Sequence, residues 1–384
     1  MGLLRLFLAI TVFISHFGNI EKFNTLISGE LAVRVFYVIS GFYIQLIISQ
    51  YEHQKHWKRN FYLSRIFRLF PTYYLILILT MIWSGTSCNR YCINMVINDS
   101  LSSLAIYYVT NFFIVGQSIV RFLTYHYNTG SFSFDPNITR PSYWLSNMEI
   151  VGQAWSLAIE LYFYCMAPFI LKRRSSTLII IALCSFAIKI FLAMHGYDNS
   201  NTWYNAFFPA EIHTFLLGAL AARIAMDSSR LNPLKKYLAV SGIFYFIAWN
   251  YKQIAFIAEP DELLILSVFC FLPFVYAATC NSYIDRWIGE LSYPVYLNHL
   301  LVIAFLGQYI TNPHLYLLSS IALSIVMGIC MILLIEHPIA RFRHRKFRTT
   351  STLSGDLAPT VTSVPAELQP LLNIVSSSTV KPFL

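Results

Sequence analysis

The sequence predicts an all-α protein, a polytopic bundle of about ten transmembrane helices with both termini on the cytoplasmic side. Three observations carry that expectation: scarce charge, apolar runs of membrane-spanning length, and basic clusters in every second loop. Of 384 residues, 57% are hydrophobic and only 12% are charged, about half the charge of an ordinary soluble domain. Mean hydropathy is +0.56. A water-soluble fold cannot cover so much apolar surface, so lipid is the expected solvent for much of the chain.

A crossing takes about 20 mostly apolar residues. Such stretches fall at 3–20, 31–50, 66–84, 149–170, 176–194, 206–224, 237–251, 262–280, 288–310 and 315–336. Cations gather after alternate stretches: Lys55, Lys58, Arg59 and Arg65; Lys172, Arg173 and Arg174; Arg230, Lys235 and Lys236; then Arg341, Arg343, Arg345, Lys346 and Arg348. Ten crossings put all four clusters in the cytoplasm. A further apolar stretch, 104–120, would invert everything after it by crossing, so it is expected to lie interfacial or re-entrant on the outer side. The same placement assigns the net charge of +9 to membrane topology and argues against nucleic acid as a partner.

The first stretch is followed by no small-residue cleavage site, so it reads as a retained helix and not as a signal peptide. Residues 1–346 are expected to form one transmembrane domain, and 347–384, rich in Ser, Thr and Pro, a disordered cytoplasmic tail. Cys88 and Cys92 share an outer loop, where an oxidising compartment would allow them to pair. Cys165, Cys184, Cys270, Cys280 and Cys330 fall in or beside spans and read as small apolar fillers. No metal-ligand spacing occurs, and no metal is expected.

Ionisable groups inside spans are costly and functional by default. Arg5 and His16 stand eleven residues apart, about three turns, and so share a helix face. The second span holds Arg34 and Ser40-Gly41. The third opens with Arg65 and Arg68, and the fourth carries Trp155, Ser156 and Glu160. The ninth carries Tyr293, Tyr296, Asn298 and His299. Each has a plainer reading. Arg5 would snorkel to headgroups, Arg65 and Arg68 would anchor the inner side, and the histidines would bridge helices. Glu160 would form a structural ion pair, with Arg34 as a partner.

Taken in order, these sites resemble the membrane-bound acyltransferase-3 family, whose members acylate sugars and other hydroxyl compounds at the cell envelope. The resemblance spreads over most of residues 1–340. It runs from Leu4-Arg5 to His16, through Val35-Phe36-Tyr37-Val38-Ile39-Ser40-Gly41-Phe42 and Tyr62-Leu63-Ser64-Arg65-Ile66-Phe67-Arg68-Leu69-Phe70-Pro71-Thr72-Tyr73. It continues with Ala154-Trp155-Ser156-Leu157-Ala158-Ile159-Glu160-Leu161-Tyr162-Phe163-Tyr164 and Phe215-Leu216-Leu217-Gly218. It ends with Gly289-Glu290-Leu291-Ser292-Tyr293-Pro294-Val295-Tyr296-Leu297-Asn298-His299. The resemblance implies an acyl-CoA donor, with acetyl-CoA the commonest, and an acceptor that is an envelope saccharide or lipid-linked sugar. It also implies a multi-pass enzyme surrounded by lipid in the plasma membrane, the bacterial inner membrane. Many members carry an acid shortly before the Ser-Gly of the second span, where this chain has Arg34; Glu160, then Glu30, are the carboxylates left to replace it. The extra esterase-like domain that some relatives append is not in the sequence, so the membrane module is expected to act alone.

The residues suit that chemistry. Arg65 and Arg68, three apart, share a face at the cytoplasmic end of their helix, and guanidinium forks grip phosphate. Arg5 and Arg59, with Lys58, would extend the patch. His16, about 13 residues beyond the start of its helix and so roughly 20 Å deeper towards the outer face, would take the proton of the attacking hydroxyl or carry the acyl group itself. Glu160 or another acid would fix its tautomer. His299 would assist, and Ser40, Trp155, Tyr293 or Asn298 would donate to the developing oxyanion. The rival expectation is a transporter or flippase of an envelope lipid or sugar, against which stands the lack of a repeated half.

Overall fold

A computed structural model describes residues 1–17, 27–87, 101–126, 131–134, 149–197, 201–227 and 260–341. The first part of the chain forms α1 (Gly2–Ser15), α2 (Gly29–Tyr51) and α3 (Trp57–Ser87). Two short helices, α4 (Leu101–Phe113) and α5 (Gln117–Val120), lead into a hairpin of β1 (Leu123–His126) and β2 (Ser131–Phe134). Its register pairs Leu123 with Phe134 and His126 with Ser131. The remainder is α6 (Trp155–Ile170), α7 (Ser175–Met194), α8 (Asn201–Asn205), α9 (Phe208–Asp227), α10 (Pro260–Thr279), α11 (Tyr283–Leu306) and α12 (Pro313–Met331).

Local signals start several of these helices. Ser28 Oγ accepts the Leu31 N–H at 3.1 Å, and Glu30 occupies the first turn of α2, where the helix dipole favours an acid. Asn312 caps α12 by accepting from the N–H groups of His314 and Leu315, with Pro313 at the first helical position. Pro71, Pro168, Pro273 and Pro294 lie inside helices, as neighbouring helices in a membrane permit.

Among the described residues, seven helices are long and apolar enough to cross a membrane: α2, α3, α7, α9, α10, α11 and α12. The chain is a multi-pass membrane protein. α1 is a shorter apolar helix of 14 residues, and α6 has 16. Nine of the ten expected stretches are therefore helical; the tenth, 237–251, lies outside the described residues, as do Cys88, Cys92 and the expected tail 347–384. Several boundaries move: α3 starts nine residues before the expected 66 and α11 five before the expected 288, and two further shifts bear on the polar residues. α1 stops at Ser15, with His16 as its C-cap residue. The helix expected from 149 starts at Trp155, behind a 3-10 turn at Gly152–Ala154.

The stretch expected to be interfacial or re-entrant is the 13-residue α4 followed by a sharp reversal. Ile114 and Gly116 adopt φ of 65° and 95°, the left-handed region. The reversal tucks Gln117 fully inside, and the Gly116 N–H donates to the Tyr162 hydroxyl at 3.0 Å. Tyr73 donates to the Asn111 carbonyl and so ties α3 to α4.

α2 is the central helix, burying 78% of its apolar window, against 28% for α7 and α12 and 22% for α10. The outer helices turn large apolar side chains such as Ile180, Leu183, Leu318 and Leu334 outwards, as lipid contact requires. α2 lies backbone to backbone on α9. A Cβ on Gly41 would sit 1.9 Å from the Phe215 carbonyl oxygen, and one on Gly218 would sit 1.8 Å from that of Val38. Small residues allow this approach, which is how membrane helices gain contact when lipid removes the hydrophobic drive between them.

The same interface carries a buried ion network. Arg34 on α2 donates through Nε to Glu211 at 3.3 Å and through Nη2 to Glu262. Lys189 on α7 pairs with Glu211 and donates to the Tyr204 carbonyl at 2.9 Å, and His213 Nε2 stands 3.3 Å from Glu262. Arg34, Lys189 and Glu211 are at most 1% exposed. The ion pair considered between Arg34 and Glu160 is thus not formed, because Arg34 points to α9 and α10. Removing one partner from such a network strands the others' charge. Glu211→Gln should cost about 3–5 kcal/mol and Gly218→Leu about 1–3 kcal/mol or more through overpacking. Both would be read as a lowered melting midpoint of purified protein in detergent; an unchanged midpoint for Glu211→Gln would mean that the network contributes nothing.

Candidate functional site

α1, α2, α3, α6 and α11 surround a cavity enclosing about 750 Å³ of space, its open mouth included. One end is cationic. Arg5 from α1 and Arg65 and Arg68 from α3 line it, the latter two on one face because they are three residues apart. Arg65 is buried and stacks 5.9 Å from the Tyr164 ring, while Arg68 stays exposed towards the cavity. Among the described residues none of the three forms an ion pair with a carboxylate.

Halfway along stands Glu160, the only carboxylate among the described lining residues. Ser40 on α2 donates to its Oε1 at 2.5 Å, and Tyr164, one turn further along α6, donates to the same oxygen. Three positive side chains against one negative leave the lining two charges positive. A low-dielectric enclosure makes that arrangement expensive in the absence of an anion.

Hydroxyls line the far end. Ser156 and Tyr296 lie 2.6 Å apart, and both are within reach of the Gln153 carbonyl. Beyond Tyr296 come two imidazoles. The His299 ring is 5.7 Å from that of Tyr296, and the His16 ring is 5.0 Å from that of His299. His299 is fully buried and His16 exposed. Each Nδ1 faces a carbonyl of its own helix, Val12 at 2.8 Å for His16 and Tyr296 at 2.6 Å for His299. A carbonyl only accepts, so both Nδ1 atoms carry the proton of the neutral ring and both Nε2 atoms keep a lone pair. His299 Nε2 is buried without a partner.

Several expected site residues therefore meet and others do not. Arg5, Arg65, Arg68, Ser40 and Glu160 share the cavity, while His16 and His299 form a pair beyond its hydroxyl end. The tautomer of His16 is set by the Val12 carbonyl, not by Glu160, which serves Ser40 and Tyr164, nor by Glu30, which accepts from Asn205 at 3.2 Å. Arg59 is exposed and does not line the cavity. Tyr293 is committed to the Leu69 carbonyl at 2.7 Å. Asn298 exchanges hydrogen bonds with Ser324 across α11 and α12, which leaves neither as a ready oxyanion donor. Trp155 stands outside the lining, with the Arg121 guanidinium 4.9 Å from its ring.

Two groups escaped the sequence reading. Tyr164 was within reach of the i to i+4 rule from Glu160. Glu336 was not: a π-helical turn at Ile332–Glu336 brings it to Thr72, which donates to it at 3.1 Å. Among the described residues, no group of three or more His, Cys, Asp or Glu side chains is close enough to hold a metal ion.

Beside the hydroxyl end, Arg121 holds Glu149 through two hydrogen bonds of 3.0 and 2.7 Å, clasping the turn after α5 to the segment that precedes α6. Burial pushes the Glu149 carboxyl up to about 7, with Arg121 opposing the shift.

Residues 1–336 match a family model described as an acyltransferase domain. The O-acetyltransferase OatA of Staphylococcus aureus (strain NCTC 8325 / PS 47) is 25% identical over 389 aligned positions, covering 93% of this chain and 60% of that protein. The putative peptidoglycan O-acetyltransferase YrhL of Bacillus subtilis (strain 168) is 25% identical, covering 91% and 58%. The peptidoglycan O-acetyltransferase OatA of Listeria monocytogenes is 25% identical, covering 82% and 51%. The chain thus spans 60% or less of the length of these relatives. No solved structure matches it.

The raised Glu149 carboxyl carries a pH signature. A folded-state value above the unfolded one gives stability that is complete below the unfolded value and lost as pH rises through the folded one. The melting midpoint should therefore fall between about pH 5 and pH 8, and Glu149→Gln should remove that component. A midpoint with the same pH dependence in both proteins would exclude it.

Proposed function

The chain belongs to the acyltransferase-3 family, and we propose that it is a membrane O-acyltransferase moving an acyl group, acetyl foremost, from cytoplasmic acyl-CoA to a hydroxyl of an envelope saccharide. The observation that carries this reading is the cationic end of the cavity: three guanidiniums around one enclosure, with no carboxylate among the described residues paired to any of them. Such a lining calls for a multiply charged anion, and guanidinium forks suit phosphate oxygens. The phosphates of CoA fit that demand, and its uncharged pantetheine arm fits the hydroxyl-lined part. The acetyl group and the saccharide acceptor are suggested by the names of the relatives, peptidoglycan O-acetyltransferases among them.

The geometry supports a division of labour. Arg5, Arg65 and Arg68 hold the phosphates, and the arm runs past Glu160 towards Ser156 and Tyr296. His16 stands eleven residues along α1 from Arg5, about 16 Å at the helical rise, which matches an extended arm better than a phosphate in direct contact. Its Nε2 lone pair removes the proton of the acceptor hydroxyl as that oxygen attacks the thioester carbon. The imidazolium then returns the proton to the departing thiolate. Ser40 and Tyr164 keep Glu160 as a fixed counter-charge to the three arginines.

Transfer of radiolabelled acetyl-CoA to envelope glycan by protein in nanodiscs tests this. Wild type should form an alkali-labile ester and His16→Ala should form essentially none. Arg68→Ala should raise the KM for the donor about ten- to a hundredfold, the worth of a charge-assisted hydrogen bond, with a smaller change in kcat. A wild type that neither binds nor consumes any acyl-CoA would move the assignment to a transporter.

A further inference from the structure

Among the described residues lining the cavity, one buried hydroxyl is left both without a partner and without a role above. Tyr37 on α2 lines the cavity together with Glu160 and Tyr296. Its side chain is 3% exposed, and its hydroxyl is buried without any hydrogen-bond partner. Four other buried hydroxyl residues line the same space, and each is engaged: Tyr164 with Glu160, Ser292 with the Gly289 carbonyl, and Ser156 and Tyr296 with each other and with Gln153. A buried O–H without an acceptor is costly, so its persistence beside a cavity points to an acceptor that arrives from outside the protein. The ring itself is fixed, stacked on Phe215 at 4.7 Å and 21°, on the stretch where α2 and α9 touch backbone to backbone. The charged and titratable groups that act on it are Tyr296, Glu211, Glu160 and Arg121.

We infer that the Tyr37 hydroxyl is a catalytic donor to the thioester carbonyl oxygen of the acyl donor; this rests on the acyl-CoA reading above. With the phosphates at the arginine end, the thioester lies at the hydroxyl end, where Tyr37 has, among the described residues, the one buried lining hydroxyl with a free proton. As the acceptor oxygen bonds to the carbonyl carbon, the carbonyl π pair moves onto oxygen, and Tyr37 holds that growing charge by hydrogen bond without giving up its proton. The acceptor's proton passes to His16. When the pair returns and the C–S bond breaks, the thiolate takes the proton from His16, leaving an ester and free CoA thiol. A donor already oriented and already dehydrated needs no reorganisation as charge develops, which is why such a group acts on the transition state more than on the bound substrate.

Tyr37→Phe keeps the ring, its stacking on Phe215 and the fold, and removes only the O–H. The turnover number with acetyl-CoA should fall on the order of a hundredfold, with the donor's KM nearly unchanged. An independent readout is the infrared carbonyl stretch of acetyl-CoA labelled with carbon-13 at the carbonyl, bound to His16→Ala protein in nanodiscs so that it persists unreacted. The band should lie below that of free acetyl-CoA and should shift back when Tyr37→Phe is added. A bound band at the same frequency in both proteins, with an unchanged turnover number in Tyr37→Phe, would overturn the role of Tyr37 and leave the acyl-CoA reading standing. The lack of any bound band would overturn the acyl-CoA reading, and the inference with it.

Discussion

An ion far from water must be compensated by an opposite charge or by hydrogen bonds, and the bundle answers that demand in two opposite ways on two faces of one helix. On the side of α2 that meets α9 and α10, Arg34, joined by Lys189 of α7, is matched by Glu211 and Glu262. On the side that faces the cavity shared with α1, α3 and α6, Arg5, Arg65 and Arg68 outnumber Glu160. The first arrangement is closed and holds the helices; the second is open and awaits a charge. Both sit in the same low-dielectric surroundings, so the contrast separates scaffold from site more clearly than any single residue does.

Rigidity passes from one face to the other. Gly41 and Gly218 let α2 and α9 approach until Phe215 rests on the backbone of α2, and Phe215 then stacks on Tyr37 and on Phe163 of α6. Ser40, next to Gly41, reaches Glu160 from the same turn. The lining is therefore set by backbone contacts that a rotamer change cannot loosen, which suits a site whose donors must be oriented before the substrate arrives.

The sequence disclosed what depends on short-range periodicity. Apolar runs located nine helices, and the three-residue spacing of Arg65 and Arg68 put them on one face before any tertiary contact was known. The eleven-residue spacing of Arg5 and His16 likewise placed them along one helix, and polar groups at membrane depth marked Glu160 and His299. What stayed hidden depends on partners far along the chain. Arg34 finds Glu211 and Glu262 at separations of 177 and 228 residues, and no local pattern ranks these above Glu160. The π-helical turn that delivers Glu336 is invisible to a 3.6-residue rule. The free hydroxyl of Tyr37 is defined by what its neighbours do with their own protons, which only coordinates reveal.

The shortness of α1 has a consequence for the lipid around it. Fourteen residues rise about 21 Å, against about 35 Å for the 23 residues of α2 beside it, while bilayer hydrocarbon is about 30 Å thick. Hydrophobic mismatch of this size is relieved by a locally pinched leaflet or by a funnel of headgroups and water reaching down to the helix end. His16 stands at that end and is exposed. On the acyltransferase reading proposed above, a bulky, wet acceptor would meet the imidazole at the bottom of the funnel while remaining outside the hydrocarbon, and the bilayer itself would shape its approach.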